Sequence, residues 1–333
     1  MLALPLCLSM VAAACGGDDD DSASTGGEGG GSEEAVSGSV NISGSSTVEP
    51  ISSLVAEDFQ AENEDVDIAV DGPGTGDGFE LFCNGETDIS DASRTIKDEE
   101  AAACEENGVE YVELQIGYDG LTVMTNPNND DVECLSFADL YALTGPESEG
   151  FGKWSDAQAL ATELGSSTEL PDATLDLTGP GAESGTYDSF IEIALAGIAG
   201  ERGQADDTTR TDYAASADDN VIIQNIEASD TSLGWVGFAF AQEAGDQIKE
   251  LEVSAEPDGE CVAPTAETIA DQSYPLSRSL YIYVNKAKAE ENPAVAAYVD
   301  FYLGDLTSFV EDSDYVALPD DVASETTSAW DAR

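Results

Sequence analysis

Apolar positions change period repeatedly along the chain. Val40 and Ile42 alternate with polar neighbours, as a half-buried strand requires; Ile51, Leu54, Val55 and Phe59 then recur at helical spacing. Residues 66–70, VDIAV, form the next strand-like run and lead through a glycine-rich junction into Phe79-Glu80-Leu81-Phe82. The runs at 111–116 and 121–124 predict two more strands, separated by Gly117-Tyr118-Asp119-Gly120, and NPNNDD at 126–131 is a turn-rich break. Beyond it, the spacing predicts a helix over 136–143. Phe190, Ile191, Ala194, Leu195 and Ile198 place another from about Ser184. An apolar segment at 220–226 and a strand-like run at 233–238 follow; Trp235, Phe238 and Phe240 are expected to pack in the core or hinge. Residues 280–284 form a long apolar strand that returns beside the first crossover. An amphipathic helix with Val295, Val299, Phe301, Tyr302 and Leu303 comes after it. Alternating strands and helices, interrupted by an inserted second set, imply two α/β lobes joined by paired hinge strands. Residues 39–125 with 280–333 make lobe 1, and 126–279 make lobe 2.

Three strand-to-helix junctions share one chemistry. Gly44-Ser45-Ser46-Thr47-Val48, Gly72-Pro73-Gly74-Thr75-Gly76-Asp77-Gly78 and Ser184-Gly185-Thr186 each put small hydroxyl and glycine residues before a helix. A helix start leaves N–H groups without partners and carries partial positive charge, which suits a small anion. Any one of these is ordinarily an N-cap and nothing more. Three in one chain point to loops converging on one anion.

Charge and composition narrow the field. The 333 residues hold 70 acidic and 10 basic side chains, a formal net charge of −60, which excludes nucleic-acid binding through a broad basic patch. Such a balance fits a strongly hydrated surface in salty surroundings, where a short Debye length relieves self-repulsion. Histidine is absent altogether, which removes Ser-His-Asp and Cys-His catalysis and histidine metal sites. A phosphatase would have to work with carboxylates and a metal, and no spaced Asp/Asn cluster stands beside the Ser-Gly-Thr loop. No catalytic residue, metal or cofactor is expected.

Residues 1–14 are apolar and too short to span a bilayer, so they fit a signal segment. Ala12-Ala13-Ala14-Cys15-Gly16 resembles a lipoprotein cleavage box, with Cys15 as the lipidation site and Ala12 where leucine is usual. Residues 16–38 are an acidic Gly/Ser-rich tether. Four further cysteines, an even set in an exported chain, imply two disulfides with three possible connectivities. The favoured pairing joins Cys83 to Cys104 and Cys134 to Cys261. Zinc held by four thiolates is the rival, without CxxC spacing to support it.

Taken together, the motifs GSSTVEPI (44–51), GPGTGDGF (72–79), GETDISDASRTIKDEE (85–100) and YDGLTV (118–123) resemble the phosphate-binding lipoprotein of the bacterial phosphate ABC transporter, the PstS family. GPGAESGTYDSF (179–190), RTDYAASADDNV (210–221), LGWVGFAF (233–240) and YPLSRSLYIYV (274–284) extend the resemblance to about residue 306. It implies a two-lobed periplasmic-binding-protein fold of type II with the ligand cleft between lobes. It also implies a lipid-anchored, extracytoplasmic monomer that binds inorganic phosphate and delivers it to membrane permease and ATPase subunits. Carried over motif by motif, Ser46, Thr47 and the Val48 N–H form one cradle, Thr75 and Gly76 a second, and Ser184, Gly185 and Thr186 a third. Asp91-Ala92-Ser93-Arg94 matches an acidic or Ser-Arg loop of the family, so Ser93 and Arg94 are expected at the anion. Some members carry an arginine just before Ser-Gly-Thr; here Gly181, Ala182 and Glu183 stand there. The cation is therefore expected to be Arg94, with Arg210 second. Phosphate near neutral pH keeps a proton that sulfate lacks, so a carboxylate acceptor would favour it. Asp91 is the candidate, with Asp88 and Asp188 as rivals. A binding protein for sulfate, molybdate or another oxyanion is the alternative.

Overall fold

The computed structural model describes residues 36–182 and 184–333; the signal segment, Cys15 and most of the tether lie outside the described residues, as does Glu183. Eleven strands follow in chain order: β1 (Gly38–Gly44), β2 (Val66–Asp71), β3 (Ile89–Ala92), β4 (Tyr111–Thr125), β5 (Cys134–Ser136), β6 (Asp176–Gly179), β7 (Ala214–Ala215), β8 (Ser232–Gly237), β9 (Lys249–Glu250), β10 (Glu252–Ser254) and β11 (Ser277–Asn285). All but β5 and β10 belong to one sheet, ordered β2-β1-β3-β11-β4-β8-β6-β7 with β9 on β4. β1, β2 and β3 are parallel, as are β6, β7 and β8. The two parallel groups are joined through the antiparallel pair β11 and β4. This is the mixed α/β, two-part architecture that the alternating pattern implies, with helices covering the parallel strands.

The crossing itself differs from expectation. Residues 111–125 form one strand rather than two strands about a turn at 117–120. β11 pairs with β4 from Asn285↔Tyr111 to Ser277↔Gly120, with a register shift at Leu280/Tyr281; at Leu121 the partner becomes β8. The glycines serve packing rather than a turn: a Cβ on Gly120 would sit 2.5 Å from the Ile269 side chain. The sheet therefore passes from one parallel group to the other in the middle of β4.

Helices α1 (Glu49–Glu62), α2 (Thr75–Cys83) and α3 (Asp98–Asn107) follow β1, β2 and β3. α1 buries Ile51, Val55 and Phe59, the positions picked out by helical spacing. The Ser184 helix begins where expected: Ser184 Oγ accepts from the Thr186 N–H at 3.2 Å, and the Gly185–Phe190 helix runs on through a π turn at Ile191–Leu195. Residues Asp219–Glu227 are helical, and Trp235 stacks on Phe190 in the core with centroids 4.4 Å apart. Disulfides join Cys83 to Cys104, across α2 and α3, and Cys134 to Cys261, beside the small β5/β10 pair.

Asp91 is packed into this scaffold. It is fully buried in β3; its side chain accepts a hydrogen bond from Ser52 Oγ of α1 at 3.0 Å, beside Tyr298 and Tyr302. Burial pushes its carboxyl up to about 7, against the Ser52 hydrogen bond, with Glu49 adding to the rise. Asp88, at the other end of β3, accepts from the Asn41 N–H at 2.8 Å and lies 3.8 Å from Lys288.

Two stability measurements follow. Because the folded pKa of Asp91 exceeds its unfolded value, its stabilising contribution is complete below about pH 4 and lost as pH rises through about 7, a cost of about 4 kcal/mol. Asp91→Asn should thus gain on the wild type in urea midpoint between pH 5 and pH 8; parallel pH profiles would contradict the assignment. Among the described residues, seven of the ten basic side chains pair with carboxylates, and few of the acids have a basic partner. Raising NaCl from 0.1 to 1 M shortens the Debye length from about 10 to about 3 Å and should raise Tm by about 5 °C. A Tm that falls with salt would mean that self-repulsion is not what limits this fold.

Candidate functional site

The C-terminal ends of β1, β2 and β3 open into loops that knit together before their helices begin. The Ser45 N–H donates to the Asp91 carbonyl at 2.9 Å and the Gly74 N–H to the Gly44 carbonyl at 2.8 Å. Thr75 Oγ1 and Ser93 Oγ stand 3.0 Å apart, and the Ser93 N–H donates to Thr75 Oγ1. Crevices outside the carboxyl ends of parallel strands are where α/β sheets bind ligands. Here a cavity of about 580 Å³ lies there, lined by Thr75, Gly76, Ser93, Arg94, Lys97 and Arg278 together with Glu192 and Ile193 from the opposite half.

Arg278, on β11, binds the parts into one site. Its Nε donates to Asp119 Oδ2 at 3.3 Å, and Asp119 is its cross-strand neighbour on β4. Its Nη2 donates to Thr47 Oγ1 at 2.7 Å and to Ser189 Oγ at 2.5 Å, and its Nη1 to Glu192 Oε2. Ser189 Oγ in turn donates to Asp119 Oδ2 at 2.7 Å and lies 3.2 Å from Thr47 Oγ1. The Arg278 side chain is 12% exposed and that of Asp119 4%, so this is a nearly buried ion pair supported by neutral hydroxyls. Ser46 Oγ donates to Asp188 Oδ2 at 2.9 Å. Gly185 closes the arrangement: a Cβ there would be 3.3 Å from the Ser46 carbonyl, so the Ser184–Thr186 helix start rests directly on the first loop.

Arg94 lies on the other wall. Both its terminal nitrogens donate to Glu100, at 2.8 and 2.7 Å, and its guanidinium sits over Phe79 at 5.5 Å. The Glu100 hydrogen bond raises the Arg94 pKa further, so the cation is permanent. Burial pushes Glu100 up, but the hydrogen bonds from Arg94 and the Lys97 N–H outweigh it and the carboxylate stays ionised.

Of the residues expected at an anion, the structure thus brings together Ser46, Thr47, Thr75, Gly76, Ser93, Arg94 and the Ser184-Gly185-Thr186 start. Three it does not. The Val48 N–H is committed to the Ser45 carbonyl at 3.1 Å. Asp91 points into the core behind α1. Arg210, 4% exposed, is spent on Asp212 at 2.6 and 2.8 Å and on the Phe151 carbonyl, because a buried guanidinium needs its donors satisfied locally. Arg278, Asp119 and Ser189 were not among the expected ligands. Their signals lay in the same motifs: Arg278 is one of only ten bases and sits on the return strand, Ser189 falls one helical turn after Thr186, and Asp119 lies in the YDG segment. Among the described residues no group of three or more Cys, Asp or Glu could hold a metal ion.

A family described as the PBP superfamily domain matches residues 30–305. Protein SphX of Synechocystis is 39% identical over 288 residues, 86% of this chain and 80% of that protein. The phosphate-binding protein PstS of Staphylococcus saprophyticus is 34% identical over 294 residues, 88% and 85% of the two chains. Among solved structures, a possible phosphate binding protein from Planctomyces limnophilus superposes with a TM-score of 0.80 at 35% identity, covering 89% of this chain and 99% of that one. Extent, identity and fold agree, and the hydroxyl-and-guanidinium cleft sits where the matched motifs lie: this chain belongs to the PBP superfamily and, within it, to the PstS family of phosphate-binding proteins.

Proposed function

We propose that this protein captures inorganic phosphate in the cleft between its two lobes and hands it to the permease and ATPase subunits of a phosphate ABC transporter. It would do so outside the cytoplasm, as a monomer anchored through lipid on Cys15. The observation that carries this reading is the meeting of Thr47, Thr75, Ser93 and the Gly185 helix start around two guanidinium groups, Arg94 and Arg278. The names of the relatives, phosphate-binding in each PstS case, support the choice of anion. Lobe 1 would comprise 39–125 with 280–333 and lobe 2 residues 126–279, with flexure proposed inside β4 and β11.

Chemically the cleft suits a dehydrated oxyanion. Hydroxyl and amide donors to an ionised oxygen are roughly twice as strong as neutral pairs, and each guanidinium adds a fixed fork of donors. Ser46, Thr47, Thr75, Gly76, Ser93, Ser184, Gly185 and Thr186 would supply the neutral donors. Arg278 takes the role first considered for Arg210. With Asp91 turned into the core, Asp119 becomes the candidate for sensing the proton that distinguishes phosphate from sulfate. It is the buried acid nearest the shared guanidinium.

Calorimetric titration with phosphate, competed by sulfate, tests the proposal. Arg278→Ala should weaken phosphate binding by about a hundredfold and Arg94→Ala by about tenfold. Arg202→Ala, a cation paired with Glu147 and Glu163 on the surface of the other half, should change it by less than about twofold. Equal small losses in all three would place the anion elsewhere. Asp119→Asn should narrow the preference for phosphate over sulfate by about tenfold; an unchanged ratio would remove Asp119 from that role.

A further inference from the structure

The donors best suited to an anion are, in this structure, already held by carboxylates of the protein. Ser46 Oγ donates to Asp188 Oδ2 at 2.9 Å, and Arg278 Nη1 donates to Glu192 Oε2. Asp188 and Glu192 are spaced i, i+4, so they lie on one helix face, and Ser189 between them takes Arg278 Nη2. That face belongs to the opposite half of the molecule from Ser46. Glu192 sits in the π turn Ile191–Leu195, which widens the helix by one residue where Glu192 and Ile193 enter the cavity wall. π turns of this kind are uncommon and concentrate at functional sites. The Glu192 side chain is 54% exposed, so it can leave Arg278 for water at little cost, unlike the buried Asp119.

We propose that Asp188 and Glu192 are built-in anion surrogates: their carboxylates compete with the incoming oxyanion for Ser46 Oγ and Arg278 Nη1, and so limit affinity and aid release. The inference rests on the reading of this cleft as an anion site. A binding-competent cleft is one in which the surrogates have let go. If they hold the donors for a given fraction of the time, the apparent Kd rises as the competent fraction falls. Glu192 also gives Nη1 of the nearly buried guanidinium a partner whenever the anion is absent from it, beside the standing pair with Asp119. They are affinity-determining residues, not ligands.

The test is phosphate titration of the wild type, Asp188→Asn, Glu192→Gln and the double variant at one ionic strength. Asp77→Asn, which removes one charge from the same cavity without sharing Arg278, is the control for each single variant, and its effect counted twice is the control for the double variant. The double variant should bind phosphate about three- to tenfold more tightly and release it more slowly, whereas Asp77→Asn should gain less than about twofold. A gain in the double variant no larger than the Asp77→Asn effect counted twice, or binding weaker than in the wild type, overturns the proposal. If the wild type binds neither phosphate nor sulfate, the proposed function fails first, and hydrogen exchange then reads the surrogate contacts directly. The amides at 45–48 and 185–189 should exchange at least about threefold faster in the double variant. Unchanged protection would overturn the surrogate role independently of any ligand.

Discussion

A guanidinium held at the meeting of two antiparallel strands governs the rest of this molecule. Arg278 and Asp119 face each other across β11 and β4, the antiparallel pair through which the two parallel groups of the large sheet are joined. Taking such a pair out of water costs several kcal/mol per ion unless every donor is matched, and here Asp119, Thr47, Ser189 and Glu192 match them. Those partners come from the first loop, the crossing strand and the inserted half. The cation's donors are therefore matched by groups from both halves together.

The same economy bears on how a chain of net charge −60 would keep a place for the proposed anion. Arg94, Lys97 and Arg278, three of ten basic residues, line one cavity. Phe79 and Glu100 hold Arg94 against the wall, with the capping contact of Glu100 to the Lys97 N–H fixing the carboxylate as well. Distant carboxylates are screened within about 10 Å at ordinary salt, so the cavity's own charges dominate inside it. Beyond that distance the acidic surface opposes the approach of any anion. Salt would thus act in two directions: it eases approach and weakens the final contacts.

What the chain discloses by itself divides along physical lines. Helical spacing marked α1 and the Ser184 helix because one face of each is buried and the other wet. The three Ser/Thr/Gly junctions were legible because a strand-to-helix turn leaves N–H groups that need hydroxyl caps. The direction of Asp91 was not legible: β3 is four residues long and buried throughout, so no alternation distinguishes the face toward α1 from the face toward the cleft. Arg210 and Arg278 look alike in sequence. Only the register Asp119↔Arg278 and the carbonyls of Leu143 and Phe151 around Arg210 tell a shared cation from a structural one. The YDG segment looked like a turn because glycine serves both turns and close packing, and only the position of Ile269 decides between them.

Continuity of β4 also constrains how the two halves can move. A flexible loop between them would let the cleft open in any direction, whereas two paired strands bend most easily where their hydrogen-bond partners change. Those places are Leu121, where β4 passes from β11 to β8, and the register shift at Leu280/Tyr281. Val316 adds a third tie, exchanging hydrogen bonds with Tyr118 at 2.8 and 2.9 Å. Asp119 and Arg278 lie between these points, one residue from Tyr118 and two from Leu121. On the proposed division into lobes, the site's central ion pair thus lies among these ties, while Asp188, Glu192 and the Ser184–Thr186 start belong to residues 126–279. In the proposed exchange the cation stays and that helix face departs, so that one set of donors serves, in turn, the protein's own carboxylates and a captured anion.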